Sequence, residues 1–596
     1  MNRLMYIRAR ISSIFNLRNA GYARKWVTLS ILIGIAAGLG SIAFYWAISQ
    51  VTRLMLGMGA GYTPPLPVGE GATVLSSITR AWMIPIITTL GGLISGLIVY
   101  KLAPEAEGHG TDAAIDSFHY KGGFIRRRVP LVKVVASAIT IGSGGSAGRE
   151  GPTAQIAAGA GSALADLFKM TTHDRRIALA AGIGAGIGSI FKAPLGGAIL
   201  SMEILYRRDF ETEALLPSFI SSVVGYSIFS AWAGWTPIFG IGSVPPFQRV
   251  QELISYAILG IACGLMGMAY GRSFYAIRDF FKKLKIPNWI KPAIGGLFVG
   301  IIGMFLPQIL GMGYGWVQFA INGNFAVLSI GIMLAIIVGK ILATGLTIGS
   351  GGSGGVFAPG LVIGGMTGGF LWSLLHNITN ITPSSPAAFI VVGMMALFGG
   401  IAKVPLAVIL MVSEMTMDYT LLVPSMLACT IAYFIASNSY IYENQVPTKT
   451  DSPAHKAELS VPLLKRLKVA DFMKSDVIIA SPDSSLADLV GLMRSKKIGA
   501  VPILDKGKLA GIVATLDIAT IPKKKWPNTL VREVMKKQLI VGYDYESLHK
   551  ALGRMTQSNI SHLPIVDPKH PERLLGILTI KDIALSYDYY REDLGD

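Results

Sequence analysis

Cysteine and charge are scarce in this chain of 596 residues. Its two cysteines, Cys263 and Cys429, both fall inside apolar stretches, which excludes a disulfide framework and a cysteine metal site. Only 15% of residues are charged against 52% hydrophobic, which excludes an ordinary soluble globular protein. Acidic residues within the apolar stretches are few, so the converging carboxylates that a cation path needs are missing. No Gly-Lys-Ser/Thr follows the glycine-rich turns, which excludes a P-loop. The apolar region also lacks a nucleophile–base pair and any metal-ligand spacing, so it does not read as an enzyme. No cleavable signal peptide is evident, and residues 1–26 read instead as a basic, cytoplasmic N-terminal helix.

The formal net charge of +18 would suggest nucleic acid in a soluble protein. Here the basic residues sit at the N-terminus (Arg3, Arg8, Arg10, Arg18, Arg24, Lys25) and in loops at 121–128, 207–208 and 278–285. That pattern suits cytoplasmic loops and lipid headgroups, so the bilayer, not nucleic acid, is the expected partner. Several apolar stretches, among them 130–168, 176–205, 325–376 and 386–441, exceed the about 20 residues of one crossing. Each must hold two or more helices, some of them short and broken at Gly or Pro.

A glycine-rich signature is written twice, IGSGGSAGREGP at 141–152 and IGSGGSGGVFAP at 348–359, with eight of twelve positions identical. The same offset aligns Lys133 with Lys340. APLGGAILSME (193–203) answers VPLAVILMVSE (404–414), and Pro104, Gly108 and Gly110 answer Pro307, Gly311 and Gly313. Two repeats, about 30–240 and 250–446, therefore fill a membrane domain over 27–446. Duplicated halves with broken helices place a substrate site between them, near the bilayer midplane.

Apolar periodicity stops near Tyr442. Residues 447–462 read as a polar linker, and 463–596 as a soluble, cytoplasmic α/β region with its own repeat (about 465–523 and 528–590). This tail resembles a tandem pair of CBS domains, a family that senses adenosine nucleotides. The resemblance implies ATP or another adenosine nucleotide at Thr579 and Asp582. In the first copy Asp517 is present but Ala514 replaces the hydroxyl residue, and a purely structural dimerisation module is the alternative.

A glycine-rich turn opening a helix aims free N–H groups and the positive dipole end outward. Two such ends, one per repeat, can hold a dehydrated anion without a full positive charge, which permits quick release. Glu150 is an isolated acid at one of these starts. A carboxylate at a helix centre costs about 2.5–3.5 kcal/mol on insertion scales, and neighbours on a helix do not face each other, so Arg149 is a poor partner for it. Glu150 is therefore read as a gate that occupies an anion site and leaves when protonated or displaced. Glu203 and Glu414, related by the repeat, are read as braces of polar backbone at helix ends.

GREGP at 148–152, GVFAP at 355–359 and Tyr442 in YIYENQV, in this order, resemble the CLC family of chloride channels and chloride/proton exchangers. The resemblance spans about residues 30–446. It implies an all-α fold of two inverted repeats and a homodimer with one anion pore per subunit, while the compact loops suggest a prokaryotic inner membrane. It carries the anion ligands to Gly148, Arg149, Glu150, Val356, Phe357 and Tyr442, and puts the gating glutamate at Glu150. Lys133 matches a basic residue near the pore, with an interfacial snorkelling lysine as the alternative.

Two positions depart from the family pattern. GHGTD stands where GSGIP is usual, so His109 replaces the serine that helps coordinate the central anion, beside Gly110. GREGP instead of GREGT argues against fluoride export, and the lack of Pro at 109 against nitrate preference. The inner proton-relay position is Ile204, which carries no proton. Ile204 tips the reading toward a gated chloride channel, with a 2-anion/1-proton antiporter as the alternative and a CBS-bearing magnesium transporter as a remote one.

Overall fold

The computed structural model describes residues 20–242, 249–376, 381–455 and 464–593, together with Leu17 and Phe247. Most of the N-terminal helix expected over 1–26, and part of the linker, lie outside them. The chain forms two compact units, Met1–Ala454 and His455–Asp596.

Among the described residues the first unit holds sixteen α-helices, eight per repeat. The first repeat contains α1 (Tyr22–Thr52), α2 (Met83–Leu102), α3 (Thr111–Tyr120), α4 (Arg128–Gly142), α5 (Glu150–Leu167), α6 (Thr172–Ile190), α7 (Pro194–Glu203) and α8 (Leu215–Ala233). The second contains α9 (Glu252–Lys283), α10 (Lys291–Phe305), α11 (Tyr314–Ile321), α12 (Ile330–Ile348), α13 (Phe357–Leu375), α14 (Pro386–Ala402), α15 (Pro405–Thr416) and α16 (Leu422–Ile435). Among the described residues six helical segments are long and apolar enough to cross a membrane. Others are half that length, and α3, α7, α11 and α15 begin at Gly or Pro turns that stop the preceding chain from continuing as helix.

Contacts between the ends of the helices define two faces. Lys25 pairs with Asp174 at 2.6 Å, Arg176 donates to the Ala454 carbonyl at 2.7 Å, and Lys449 pairs with Glu211 at 2.8 Å. Opposite, Gly69 N–H donates to the Ile238 carbonyl at 3.0 Å and Gly240 N–H to Gln318 at 2.9 Å. Helix α1 runs from the 446–454 face to the loop at 61–82. Helix α9 ends where Arg278 pairs with Glu443, so it runs the other way, and the repeats are inverted.

The two halves meet through contacts that the repeat writes twice. Gly148 and Gly355, equivalent positions, exchange both backbone hydrogen bonds at 2.8 and 2.7 Å. A residue that pairs reciprocally with its own equivalent lies on a two-fold axis. Ser146 bonds Thr344 at 2.9 Å, and its counterpart Ser353 bonds Ser137 at 2.9 Å. Within each half glycine permits the same close crossing. A Cβ on Gly161 would sit 2.2 Å from the Ala178 carbonyl, and one on Gly368 2.2 Å from that of Phe389.

Among the described residues the second unit carries two small sheets. Ala500–Asp505 pairs antiparallel with Lys508–Ala514, over a core that includes Leu486, Val501, Ile503 and Val531. In the other, Gly542–Tyr543 lies parallel to His562–Val566, which pairs antiparallel with Leu574–Thr579. Helices follow the last strand of each copy, Thr515–Ala519 and Ile580–Asp593.

Candidate functional site

Helices α5 and α13 start on either side of the Gly148–Gly355 pair. The Glu150 side chain crosses the axis, and its Oε1 accepts from Phe357 N–H at 2.5 Å and Ala358 N–H at 3.2 Å. These are the first donors of α13, unpaired within the helix and at the positive end of its dipole. Glu150 is buried at 2% exposure, and its Oε2 has no partner. A Cβ would meet this carboxylate at 2.1 Å from Gly148 and 2.2 Å from Gly355, so only glycine leaves room for it. A carboxylate thus occupies a seat whose chemistry suits a small anion. Of the donors expected at Val356 and Phe357, Phe357 serves Glu150 and Ala358 joins it. Val356 contributes through its carbonyl, which accepts the Tyr270 hydroxyl at 2.8 Å.

Arg149 faces away from Glu150. Its buried guanidinium pairs with Glu70 and lies against the rings of Tyr45, Phe191 and Tyr314, at 5.2, 5.7 and 5.9 Å. Toward the 446–454 face, the rings of His109 and Tyr442 lie 5.5 Å apart and His109 lies 6.0 Å from Phe274. His109 Nδ1 is buried without a partner, and Gly110, at φ +73°, opens α3 beside it. Tyr442 is held by its successors. Asn444 N–H donates to Asp112 at 2.9 Å, and Gln445 donates to the carbonyls of Ile204 and Ala402, each at 3.0 Å. Phe357, Phe398 and Tyr442 continue the aromatic lining, with centroid distances of 4.3 and 6.4 Å.

Lys133 is not at a membrane interface. It is fully buried and donates to the carbonyls of Ala106 and Gly108 at 2.9 and 2.8 Å. Lys340 repeats the arrangement with Ile309 and Gly311 at 2.9 and 2.7 Å. Each lysine ties back the carbonyls just before the Gly110 and Gly313 helix starts. Glu203 and Glu414 cap across the halves: Glu203 accepts from Leu406 and Ala407 N–H at 3.3 and 2.7 Å, Glu414 from Leu195 and Gly196 at 3.1 and 2.7 Å. Ile204, next to Glu203, is buried at 1% exposure and offers no titratable group.

In the second unit Thr579 Oγ1 donates to Asp582 at 2.6 Å, and Lys474 stands 3.2 Å from the same carboxylate. In the other copy Ala514 N–H donates to Asp517 at 2.8 Å, with Lys536 at 3.0 Å. No cluster of metal-ligating side chains occurs among the described residues, and both cysteines are free.

A buried anion seat between inverted, broken-helix halves defines a membrane anion transporter. The comparisons agree. A family model described as voltage-gated chloride channel matches residues 91–437, and a CBS domain model matches 469–523 and 531–588. The H(+)/Cl(-) exchange transporter ClcA of Salmonella agona is 30% identical over 68% of this chain and 84% of its own. A Ralstonia nicotianae protein named as ClcB-like chloride channel is 30% identical over 68% of this chain and 92% of its own. Among solved structures, a slow cyanobacterial Cl-/H+ antiporter has a TM-score of 0.61 at 24% identity, over 74% of this chain and 98% of its own. A eukaryotic CLC transporter has a TM-score of 0.56 at 19% identity over 94% of this chain and 98% of its own. The chain belongs to the CLC family of chloride transport proteins and carries two CBS domains.

Proposed function

We propose that the protein exchanges chloride for protons, with Glu150 as the group that alternates with the anion. The observation that carries this is the Glu150 carboxylate hydrogen-bonded to the Phe357 and Ala358 N–H groups, in a place an anion would otherwise take. Leaving that seat, with or without a proton, opens the path. Gly148, Phe357 and Ala358 line the seat, while His109, Gly110 and Tyr442 line the approach from the other side.

Exchange is preferred to a channel because 30%-identical relatives carry names of H(+)/Cl(-) exchangers. A gated channel is the second reading, favoured by the apolar Ile204 and by the equally identical relative named as a chloride channel. The buried Gln445, whose amide touches the Ile204 carbonyl and whose Oε1 has no partner, offers water a polar foothold beside that position. Chloride flux with simultaneous proton recording, in liposomes under an imposed chloride gradient, decides between them. Uphill proton movement driven by chloride is expected. Chloride flux with no proton movement would make the protein a channel, and no anion flux from correctly inserted protein would sink both readings.

The same proposal puts the basic 446–454 face in the cytoplasm, by the excess of Lys and Arg there, and makes the subunit one half of a homodimer. It also gives the CBS pair one adenosine nucleotide, at Thr579 and Asp582. Calorimetric titration of ATP into the full-length protein is expected to show binding that Thr579→Ala abolishes and Asp517→Asn spares. Wild-type protein that takes up no heat across the series would overturn the nucleotide site.

A further inference from the structure

On the 61–82 face, beyond Glu150, a cavity of about 250 Å³ lies under the loop that joins α1 to α2. Its lining includes Arg53, Tyr62, Glu70, Arg149, Gly313 and Tyr314. It is apart from the seat of Glu150, because Arg149 and Glu150 are adjacent on a helix and their side chains diverge.

The polar groups here are buried and unsatisfied. Arg149 is wholly buried, and only one of its nitrogens reaches Glu70, leaving Nε and Nη1 without partners. The Tyr314 hydroxyl, at 2% residue exposure, has no partner either. Buried donors left unpaired are costly, so three of them around one cavity mark a place for an acceptor. Gly313, at φ +87°, opens α11 at the same cavity, and the Lys340 bonds to Ile309 and Gly311 hold back the carbonyls that would compete. By the repeat, Gly313 is the counterpart of Gly110 on the opposite side.

Charge selects the occupant. Arg53 and Arg149 face the cavity against the single carboxylate of Glu70, and Lys192 stands behind that carboxylate on the Gly69 carbonyl at 3.2 Å. The balance is positive, which selects an anion, and chloride is the anion that the proposed transport brings to this face. Glu70 holds Arg149 in place but also opposes an anion, and its Oε2 is unpartnered.

We propose that this cavity is a separate chloride site, where the ion waits outside Glu150 on the Arg149 guanidinium, the Tyr314 hydroxyl and the start of α11. The inference rests on the anion-transport reading and adds a station to it. Glu70 tunes the affinity of that station.

The test is the chloride dependence of initial flux in right-side-out and inside-out membrane vesicles holding the full chain. Tyr314→Phe removes one donor and keeps the ring, and is expected to raise the half-saturating chloride about 5-fold. Glu70→Gln removes the opposing charge while still accepting from Arg149, and is expected to lower it by a similar factor. Both shifts should appear from one side of the membrane only, with the maximal rate unchanged. Unchanged half-saturation in both variants, equal shifts from both sides, or weaker chloride binding in Glu70→Gln would overturn the site. Glu150→Gln in the same vesicles separates the outcomes: if it alters flux as a gate while the other two variants do nothing, the outer station fails and the gate stands.

Discussion

Glu150→Gln is expected to abolish proton movement and leave chloride flux fast and independent of pH. The carboxylate holds its place by two hydrogen bonds from Phe357 and Ala358 at a helix start, both charge-assisted. Such bonds are worth about 1.5–3 kcal/mol against about 0.5–1.5 for neutral ones. Glutamine fits the same space, but its docking is weaker by about 2 kcal/mol over the two bonds, or roughly 30-fold in occupancy. The seat then stands open to chloride at any pH, and no group there can carry a proton. Paired chloride and proton records in liposomes check both halves of this. Proton movement that survives in the variant would place the coupling group elsewhere.

Gly355→Ala separates docking from titration. The new Cβ would fall 2.2 Å from Glu150 Oε1 and 2.9 Å from the Gly148 carbonyl. The carboxylate is the movable end of a flexible side chain, so it yields first, and the acid remains titratable but cannot sit. Chloride flux is expected to rise about tenfold, equivalent to about 1.4 kcal/mol of lost docking. Unlike Glu150→Gln, the variant keeps a residual pH dependence. Overpacking at the paired backbones should also cost about 1–3 kcal/mol of stability, read as a lower midpoint in thermal unfolding. Wild-type flux in a folded Gly355→Ala protein would mean that the docked carboxylate does not limit passage.

The parts of this arrangement that repeat are legible in the sequence alone. Gly148, Glu150 and Phe357 stood out because a glycine-rich turn and a lone acid are rare in apolar sequence. Glu203 and Glu414 were readable as braces because the same offset that relates them also relates the helix starts they cap. Register was less legible. Helix α13 begins at Phe357, so its first two free donors belong to Phe357 and Ala358, one residue later than Val356. No motif marks that boundary to a single residue. The family resemblance puts Lys133 near the pore, but a lysine among apolar residues does not announce that two carbonyls, 25 and 27 positions back, will hold it.

Nothing in the sequence marks Glu70. It sits in a loop without periodicity, 79 residues from Arg149, and nothing local says that one acid of that loop turns inward. Tyr314 is similar: an aromatic after Gly-Met-Gly reads as packing until its hydroxyl is seen to lack a partner. Long-range pairs of single residues are where one chain read alone runs out. The inverted fold escaped that limit because duplication wrote its contacts twice.

The crossed carboxylates bear on how the protein is made. On the ribosome, the start of α7 emerges more than two hundred residues before Glu414, the group that satisfies Leu195 and Gly196 N–H. Glu203, equally, has no helix to cap until Leu406 and Ala407 are synthesised. The first half of the chain therefore waits in the bilayer with its central helix ends unmet. Neither half can be finished alone, and a nascent chain stalled before residue 414 is one that quality control should find incomplete.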